Sequence, residues 1–327
     1  MKALIVPRFG DPDVLTWADQ RDPEPGPGEL LVRTRAFAVN WADLLQRAGK
    51  YPGGPTPPFI AGYDFMGEVV GRGPGTEGPP DGTRVFGVLG RSGAAAELVA
   101  APSAWLHPVP AILSNEQAAG LAGPYITANV AIVDFGRLQA GETVLIHAAA
   151  GGYGSAAVQL CRHYRAGTII VTAGSDEKLQ RTKEWGADVL VNYQTDDFVK
   201  VVSEATRGRG VDLVLESVGG DVLGQSFDCL VPLGRLVSVG ASSGQSSRRF
   251  RLQTLFERGV SVSGFTLGLW LLNHPELVQP AANRVLEAVR AGAVAPVIGG
   301  VFGIDDIAEA HAFMAGRRSI GRTVVVL

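Results

Sequence analysis

The 327-residue sequence predicts an α/β protein that combines a β domain with a doubly wound parallel-sheet domain. Three observations predict this fold class. The length suits about two domains. Glycine and proline clusters divide the first third of the chain into short strands, whereas a regular strand–helix alternation begins near residue 142.

Composition and charge exclude several classes of protein. The net charge is -3, and the lysines and arginines are scattered, so we expect no nucleic-acid partner. The densest basic cluster, Arg248, Arg249 and Arg251, is interpreted as a solvated loop. No apolar run reaches the roughly 18 residues that a membrane span needs, and MKALIVPRFG is too short in its apolar part for a signal peptide. With Cys161 and Cys229 both in apolar stretches, we expect buried thiols and a cytoplasmic protein.

The N-terminal region predicts a compact, mostly antiparallel β domain. Its apolar strand candidates are separated by PEPGPGE, YPGGPTPPF and GRGPGTEGPPDG, which cannot continue a helix or a central strand. The predicted strands are 2–6, 30–39, 65–70, 83–88 and 95–100.

From residue 142 the apolar runs are continuous rather than alternating, which is typical of a sheet covered on both faces. The predicted strands are 143–146, 168–172, 189–191, 211–215, 236–239 and 260–265. The predicted helices are 124–135, 155–164, 177–185, 198–205, 275–291 and 307–315. Because the last segment is too small for a third core, we expect the C-terminus to return to the β domain.

A small-residue turn after the first parallel strand predicts a dinucleotide site. In HAAAGGYGSAAVQLCR the pattern A-x-x-G-x-x-G falls on Ala148, Gly151 and Gly154, with Gly152 and Tyr153 between the glycines. Residues without bulk allow the backbone to approach a pyrophosphate and the helix to pack closely on the strand. The helix N-terminus then directs N–H groups at the phosphates. Tyr153 could stack on the cofactor or cover the helix start.

The end of the second parallel strand favours NADPH over NADH. An acidic residue there would bind the ribose 2′-hydroxyl and repel a 2′-phosphate, but this strand ends in Ala173, Gly174 and Ser175. Asp176 is interpreted as the helix N-cap. Lys178 can supply positive charge to a 2′-phosphate, although a solvated helix lysine is the alternative, and Tyr193 can add a hydroxyl.

Four segments carry a resemblance to a known family: AFAVNWADLLQRAGKYP, AGYDFMGEVVGRG, HAAAGGYGSAAVQLCR and GVDLVLESVGG. The chain resembles the zinc-free quinone oxidoreductase (zeta-crystallin-like) branch of the medium-chain dehydrogenase/reductase superfamily. The resemblance implies a GroES-like β domain built from both chain ends, residues 1–123 and 266–327, and a Rossmann domain over residues 124–265. It also implies a homodimer paired through the edge of the Rossmann sheet.

Zinc-dependent relatives place a cysteine at the position of Asn40 and a His-Glu pair at Tyr63 and Asp64. This chain has no cysteine before Cys161, so we expect no metal. Without a Lewis acid, hydride transfer requires an acceptor that is already electrophilic, such as a quinone or an α,β-unsaturated carbonyl.

The resemblance also implies the groups that would act on such an acceptor. Asn40 and Thr127 would lie beside the nicotinamide, Tyr51 near the substrate, and Arg317 against the cofactor phosphates. For Tyr51, ring packing against Pro52 is the alternative. A further substrate-pocket candidate is Tyr125, Asp43 is expected to cap or orient the loop after Asn40, and His147 is interpreted as a packed histidine.

The sequence thus predicts an NADPH-dependent quinone reductase with a small-molecule substrate. A reductase of enones or enoyl thioesters is the enzymatic alternative. An NADPH-binding sensor protein without turnover is the non-enzymatic one.

Overall fold

The computed structural model describes residues 1–245 and 252–327. The basic cluster Arg248, Arg249 and Arg251 lies outside the described residues. The strands are β1 (Lys2–Val6), β2 (Thr16–Asp19), β3 (Glu29–Val39), β4 (Phe59–Ile60), β5 (Asp64–Arg72), β6 (Arg84–Val88), β7 (Leu98–Pro102), β8 (Leu106–Pro108), β9 (Val144–Ile146), β10 (Ile169–Ala173), β11 (Val189–Asn192), β12 (Val211–Glu216), β13 (Leu230–Ser238), β14 (Ser261–Gly264), β15 (Ile298–Gly303) and β16 (Arg322–Val326). The helices are α1 (Trp41–Arg47), α2 (Asn115–Ala119), α3 (Ala122–Asn129), α4 (Gly152–His163), α5 (Asp176–Glu184), α6 (Phe198–Ala205), α7 (Gly220–Asp228), α8 (Leu252–Arg258), α9 (Leu267–Asn273), α10 (Pro275–Arg290) and α11 (Ile307–Ala315).

The described chain divides into two compact units. The first comprises Met1–Pro124, Leu267–Leu286 and Ala295–Leu327, and the second comprises Tyr125–Thr266 and Glu287–Val294.

The first unit is a β structure that both chain ends complete. One sheet has the order β15-β16-β3-β5-β6-β8, with β7 also paired to β3, and a three-stranded sheet has the order β2-β1-β4. All pairings are antiparallel except β15 with β16. In the C-terminal strand, Thr323 pairs with Val39 and Val326 with Ala36, which confirms the predicted return of the C-terminus.

The second unit is a six-stranded parallel sheet with the order β11-β10-β9-β12-β13-β14. Numbered within the unit this is 3-2-1-4-5-6, the order in which a dinucleotide binds where the winding reverses, beside the first strand. The central strands β9, β10 and β12 are buried along their whole lengths, as their continuous apolar runs predict. The predicted fold class is confirmed.

Several predicted boundaries were wrong. The strand predicted at 95–100 is β7, Leu98–Pro102, and the helix predicted from residue 124 begins at Ala122, with a π-helical turn over Val130–Phe135. The short helix α1 was not predicted. Asn40 caps it, and the carboxylate of Asp43 accepts the Asn40 backbone N–H at 2.7 Å, which confirms the capping role expected of Asp43.

Candidate active site

The small-residue turn joins β9 to α4 in the second unit. Ala148 has a φ of 50°, and Gly151 is the N-cap of α4. The helix begins at Gly152, so the predicted start at Ser155 was wrong by three residues. Because α4 starts this early, the backbone N–H groups of Gly152, Tyr153 and Gly154 belong to its first turn, where an α-helix has no acceptor of its own for them.

Two glycines of the turn have different roles. A Cβ on Gly154 would lie 2.4 Å from the Ala148 carbonyl oxygen and 2.4 Å from Ala149 Cα, so only glycine permits this approach of helix to turn. A Cβ on Gly151 would meet nothing closer than the Ala148 oxygen at 3.4 Å. Gly151 is therefore not required by packing, and the space beside it suits a pyrophosphate, whose approach needs a bare backbone.

His147 lies between β9 and the turn. Its Nδ1 lies 3.1 Å from Thr172 Oγ1 and its Nε2 lies 2.9 Å from Ser226 Oγ. The Ser226 hydroxyl donates to the Val222 carbonyl, so it accepts from Nε2–H, and Nδ1 accepts from Thr172. Burial lowers the pKa of His147 to about 4. This neutral imidazole, hydrogen-bonded through both ring nitrogens, is a packed histidine, as predicted from the sequence.

The turn after β10 brings three of the predicted cofactor residues together. Ser175, not Asp176, is the N-cap of α5, and its hydroxyl accepts the Lys178 backbone N–H at 3.4 Å. The N-cap prediction for Asp176 was wrong, because Ser175 already supplies the acceptor; Asp176 instead accepts from Asn192 Nδ2 at 2.9 Å. The Tyr193 hydroxyl lies over Gly174, where a Cβ would come within 2.4 Å of it.

Tyr153 lies in the first turn of α4, and its hydroxyl is buried. Burial raises the pKa of this hydroxyl. Within the described residues this hydroxyl has no hydrogen-bond partner. Leaving a buried hydroxyl unpaired costs about 1–3 kcal/mol. A ligand at the turn could supply the missing bond, so the turn fits a polar cofactor.

In the first unit, Asn40 is held by a residue from the far end of the chain. Its Oδ1 accepts from Arg322 Nη1 at 2.9 Å, and Arg322 Nη2 donates to Asp64 Oδ2 at 2.5 Å. The other oxygen of Asp64 accepts the Gly123 N–H at 2.9 Å. Arg322 is 5% exposed and Asp64 is fully buried. Burial raises the pKa of Asp64, and the adjacent guanidinium opposes that rise.

Tyr51 lies in the loop that follows α1, close enough to Asp43 to be affected by its charge. Burial raises the pKa of its hydroxyl, and the Asp43 carboxyl adds to that rise. The hydroxyl of Tyr63 accepts from Gln46 Nε2 at 2.6 Å. Burial also raises the pKa of Tyr63, and Asp43 acts in the same direction. Burial in turn raises the pKa of Asp43 to about 7. Tyr51 is half-buried in this loop, and its place near the substrate stays a prediction.

Thr127 is half-buried in α3 of the second unit, and Arg317 is exposed after α11 in the first. Tyr125 is fully buried and its hydroxyl accepts from Gln159 Nε2 at 3.0 Å, which is a core position rather than a pocket position. Arg322 and Gln46 were not predicted from the sequence as parts of the site, and neither was the role of Tyr63. A charged residue opening the apolar strand RTVVV was the one available signal for Arg322.

In the described part of the chain, no group of three or more histidine, cysteine, aspartate or glutamate side chains is placed to hold a metal ion. No helix there is long and apolar enough to cross a membrane.

Fold and turn together define the class: a β unit closed by both chain ends and a doubly wound unit with a dinucleotide-type turn are the parts of an alcohol dehydrogenase-like oxidoreductase. Family models agree, since "Alcohol dehydrogenase GroES-like domain" matches residues 26–111 and "Zinc-binding dehydrogenase" matches residues 152–283.

Curated relatives extend over the whole chain. A quinone oxidoreductase of Pseudomonas aeruginosa is 34% identical, with 99% of both chains covered. A 2-haloacrylate reductase of a Burkholderia species is 33% identical, covering 99% of this chain and 98% of the relative. The human synaptic vesicle membrane protein VAT-1 homolog is also 33% identical, covering 100% of this chain and 86% of the relative.

Solved structures give the same result. The Escherichia coli quinone oxidoreductase complexed with NADPH matches with a TM-score of 0.92 at 27% identity over 100% of both chains. The CurK enoyl reductase matches with a TM-score of 0.90 at 26% identity, covering 99% of this chain and 98% of the other. The chain belongs to the quinone oxidoreductase branch of the medium-chain dehydrogenase/reductase superfamily.

Proposed function

We propose that this protein is a zinc-independent, NADPH-dependent reductase that transfers hydride to a quinone. We infer zinc-free chemistry from one observation: the guanidinium of Arg322 is hydrogen-bonded to both Asn40 and Asp64. These two side chains occupy positions where zinc-dependent relatives carry ligands. A resident cation already takes Asn40 Oδ1 and one oxygen of Asp64, so an activated acceptor is the substrate class that suits the site.

NADPH, when bound, supplies the hydride. The residues that would hold it are Ala148, Gly151, Gly152, Tyr153 and Gly154 at the first turn. Ser175, Lys178 and Tyr193 would surround a 2′-phosphate, and Arg317 would reach the phosphates. The second parallel strand ends in the neutral residues Ala173, Gly174 and Ser175, and the carboxylate of the adjacent Asp176 is bonded to Asn192 Nδ2, which supports NADPH over NADH.

Reduction of a quinone consumes one hydride and one proton, and negative charge develops on a quinone oxygen. We assign Asn40, Tyr51 and Thr127 to hydrogen bonds with that oxygen and with the nicotinamide. Burial raises the pKa of Tyr51, so its hydroxyl keeps its proton at neutral pH and acts as a donor. The hydroquinone anion can then take a proton from water.

The experiment that tests this function is NADPH oxidation by the purified protein with 9,10-phenanthrenequinone and, separately, with a crotonyl thioester. Faster turnover of the quinone supports the proposal. Faster turnover of the thioester would replace it with the enoyl reductase alternative, which the similarity to the CurK enoyl reductase favours. NADPH binding without oxidation by either acceptor would support a sensor protein instead.

Metal independence has its own test. Prolonged dialysis against EDTA should leave the rate unchanged, and elemental analysis should find far less than one zinc per chain. Stoichiometric zinc that is lost together with activity would overturn the zinc-free part of the proposal.

We also propose a cytoplasmic homodimer. The two cysteines are buried and unpaired, which suits a reducing compartment. The strand β14 ends the parallel sheet, and Val262 on it is 41% exposed, so a second copy could cover this edge. Light scattering at micromolar concentration should give twice the chain mass, and the mass of a monomer would refute the dimer.

A further inference from the structure

Strand pairing in the first unit brings a guanidinium against the side-chain amide of Asn40. Asn40 is half-buried and directly follows β3, and Arg322 is the first residue of β16. The two strands are antiparallel, with Thr323 opposite Val39, so β16 begins where β3 ends. Arg322 is 5% exposed, and its Nη1 donates to Asn40 Oδ1 at 2.9 Å.

This hydrogen bond determines which end of the Asn40 amide faces the arginine. A guanidinium carries five N–H donors and no acceptor, so the amide oxygen must be the atom that faces Arg322. An unrestrained asparagine can exchange the positions of its oxygen and nitrogen by rotating the amide, with little change of shape. Here the exchanged orientation would place the Nδ2 hydrogens against a cation. Arg322 therefore disfavours it strongly.

The guanidinium is itself held on its other side. Arg322 Nη2 donates to Oδ2 of Asp64, which is fully buried, and Asp64 Oδ1 accepts the backbone N–H of Gly123 at 2.9 Å. A guanidinium is planar and its donors have fixed directions, so two bonds in different directions define its orientation. Arg322 thus presents Nη1 to Asn40 from a fixed position.

The nitrogen end of the Asn40 amide is much less occupied than the oxygen end. The backbone N–H of Asn40 is bonded to Asp43 Oδ2 at 2.7 Å, and Oδ1 is bonded to Arg322. Nδ2 has two hydrogens, and among the described residues it makes one hydrogen bond, a long one of 3.4 Å to the Ala38 carbonyl. Asn40 is thus prepared to donate to an incoming acceptor.

We propose that Arg322 is a positioning residue that holds the Asn40 amide with its Nδ2–H group as a donor to the acceptor oxygen of the substrate. The inference rests on the proposed reductase function. It assigns Arg322 no contact with substrate or cofactor, since Arg322 acts through Asn40. A donor that is oriented before the substrate binds needs no reorganisation when negative charge develops on that oxygen.

The main test removes Arg322 without leaving a buried charge unpaired. The double variant Arg322→Met/Asp64→Asn replaces both charged partners, and the new amide can still accept the Gly123 N–H. With 9,10-phenanthrenequinone at saturating NADPH, kcat should fall about tenfold, because the Asn40 donor loses its fixed orientation. The Kd for NADPH should stay within about twofold of wild type.

Two substitutions of Asn40 test whether Arg322 acts through this residue. Asn40→Ala should lower kcat by about 10–100-fold, the effect of losing a donor to a charged oxygen. Combined with Arg322→Met/Asp64→Asn, it should be no slower than alone, and losses that multiply would overturn the inference. Asn40→Asp keeps the shape and an oxygen for Arg322 but has no N–H. A wild-type kcat in this variant would also overturn it.

Two further variants serve as controls. Asp64→Asn alone keeps the guanidinium beside Asn40, so its kcat should exceed that of the double variant. An equally slow Asp64→Asn variant would assign the loss to the carboxylate and refute the role of Arg322. Arg35→Met breaks an exposed pair with Glu68 on β3 and β5 and should change kcat less than twofold. A wild-type protein that reduces neither a quinone nor an enone would refute the proposed function instead.

A second measurement needs no turnover and uses the cofactor-free protein. Relaxation of the ¹⁵N-labelled side-chain amide of Asn40, assigned by its loss in Asn40→Asp, reports how freely this amide moves. The order parameter should be about 0.85 in wild type and below about 0.6 in Arg322→Met/Asp64→Asn. Equal order parameters in the two proteins would overturn the inference, whether or not the protein reduces a quinone.

Discussion

The guanidinium of Arg322 donates to Asn40 Oδ1 at 2.9 Å, although 282 positions separate the two residues in the chain. The same guanidinium bonds the buried carboxylate of Asp64, so one side chain of β16 fixes both the end of β3 and the start of β5. The last strand therefore contributes more than sheet pairing. It brings the only positive charge recorded in contact with Asn40 and Asp64 in the described structure.

Arg322→Met should destabilise the protein strongly. The substitution keeps the length of the apolar stem but leaves the fully buried Asp64 without its cation, a change that typically costs about 3–5 kcal/mol. Urea unfolding at pH 7 measures the loss. Arg35→Met is the matched control, because it breaks an exposed arginine–carboxylate pair with Glu68 at 3.1 Å on the neighbouring strands β3 and β5. The control substitution should lower the free energy of unfolding by less than about 1 kcal/mol. Equal losses in the two variants would contradict the stabilising role of Arg322 beside Asp64.

Gly154→Ala should disrupt the dinucleotide turn through packing alone. Its Cβ would lie 2.4 Å from backbone atoms of Ala148 and Ala149, so the helix or the turn must shift. We expect the free energy of unfolding without cofactor to fall by about 1–3 kcal/mol. NADPH affinity should fall at least tenfold.

Gly151→Ala separates packing from ligand approach. Its φ is -79° and its Cβ would have only an ordinary contact at 3.4 Å, so cofactor-free stability should change by less than about 0.5 kcal/mol. Weaker NADPH binding in this variant would report the approach of the pyrophosphate itself. If Gly151→Ala destabilises the cofactor-free protein as much as Gly154→Ala, the different roles of the two glycines are disproved.

Lys178→Ala should weaken NADPH binding by about 10–100-fold, because a charge-assisted contact to phosphate contributes roughly 1.5–3 kcal/mol. Binding of NADH, which has no 2′-phosphate, should change little. Lys183→Ala is the control, since Lys183 is exposed near the C-terminus of the same helix. Isothermal titration calorimetry measures the affinity for each dinucleotide. Equal losses of affinity for NADPH and NADH would show that Lys178 does not bind the 2′-phosphate.

Local sequence patterns were sufficient for the fold class and the glycine turn, because both depend on neighbouring residues. The apolar runs at β9, β10 and β12 and the small residues from Ala148 to Gly154 are contiguous signals. The short helix α1 has only seven residues, too few for a periodic pattern to stand out. Ser175 and Asp176 are both good N-caps, so only the backbone geometry could choose between them.

The network around Asn40 could not be predicted for a different reason. Its members come from β3, α1, β5 and β16, and only the three-dimensional pairing of β16 with β3 brings Arg322 to Asn40. The hydrogen bond from Gln46 to Tyr63 likewise depends on where α1 meets the start of β5. Such long-range polar contacts have no sequence periodicity.

Asp43 should make the stability of the protein depend on pH. Burial raises the pKa of Asp43 in the folded protein to about 7, from an ordinary value of 3.8. Between these values the folded state holds a proton that the unfolded state has lost. Stability from this group is therefore greatest below pH 4, falls as pH rises to about 7, and is level above that.

Asp43→Asn keeps an oxygen to accept the Asn40 N–H but does not ionise. From pH 5 to pH 8, wild type should lose about 3 kcal/mol of unfolding free energy relative to this variant, as measured by urea denaturation. The buried histidines His107 and His147, whose pKa values burial lowers to about 4, are common to both proteins, so their opposite trend cancels in the difference. Parallel stability curves for the two proteins over this range would show that Asp43 is already ionised at pH 5 in the folded state.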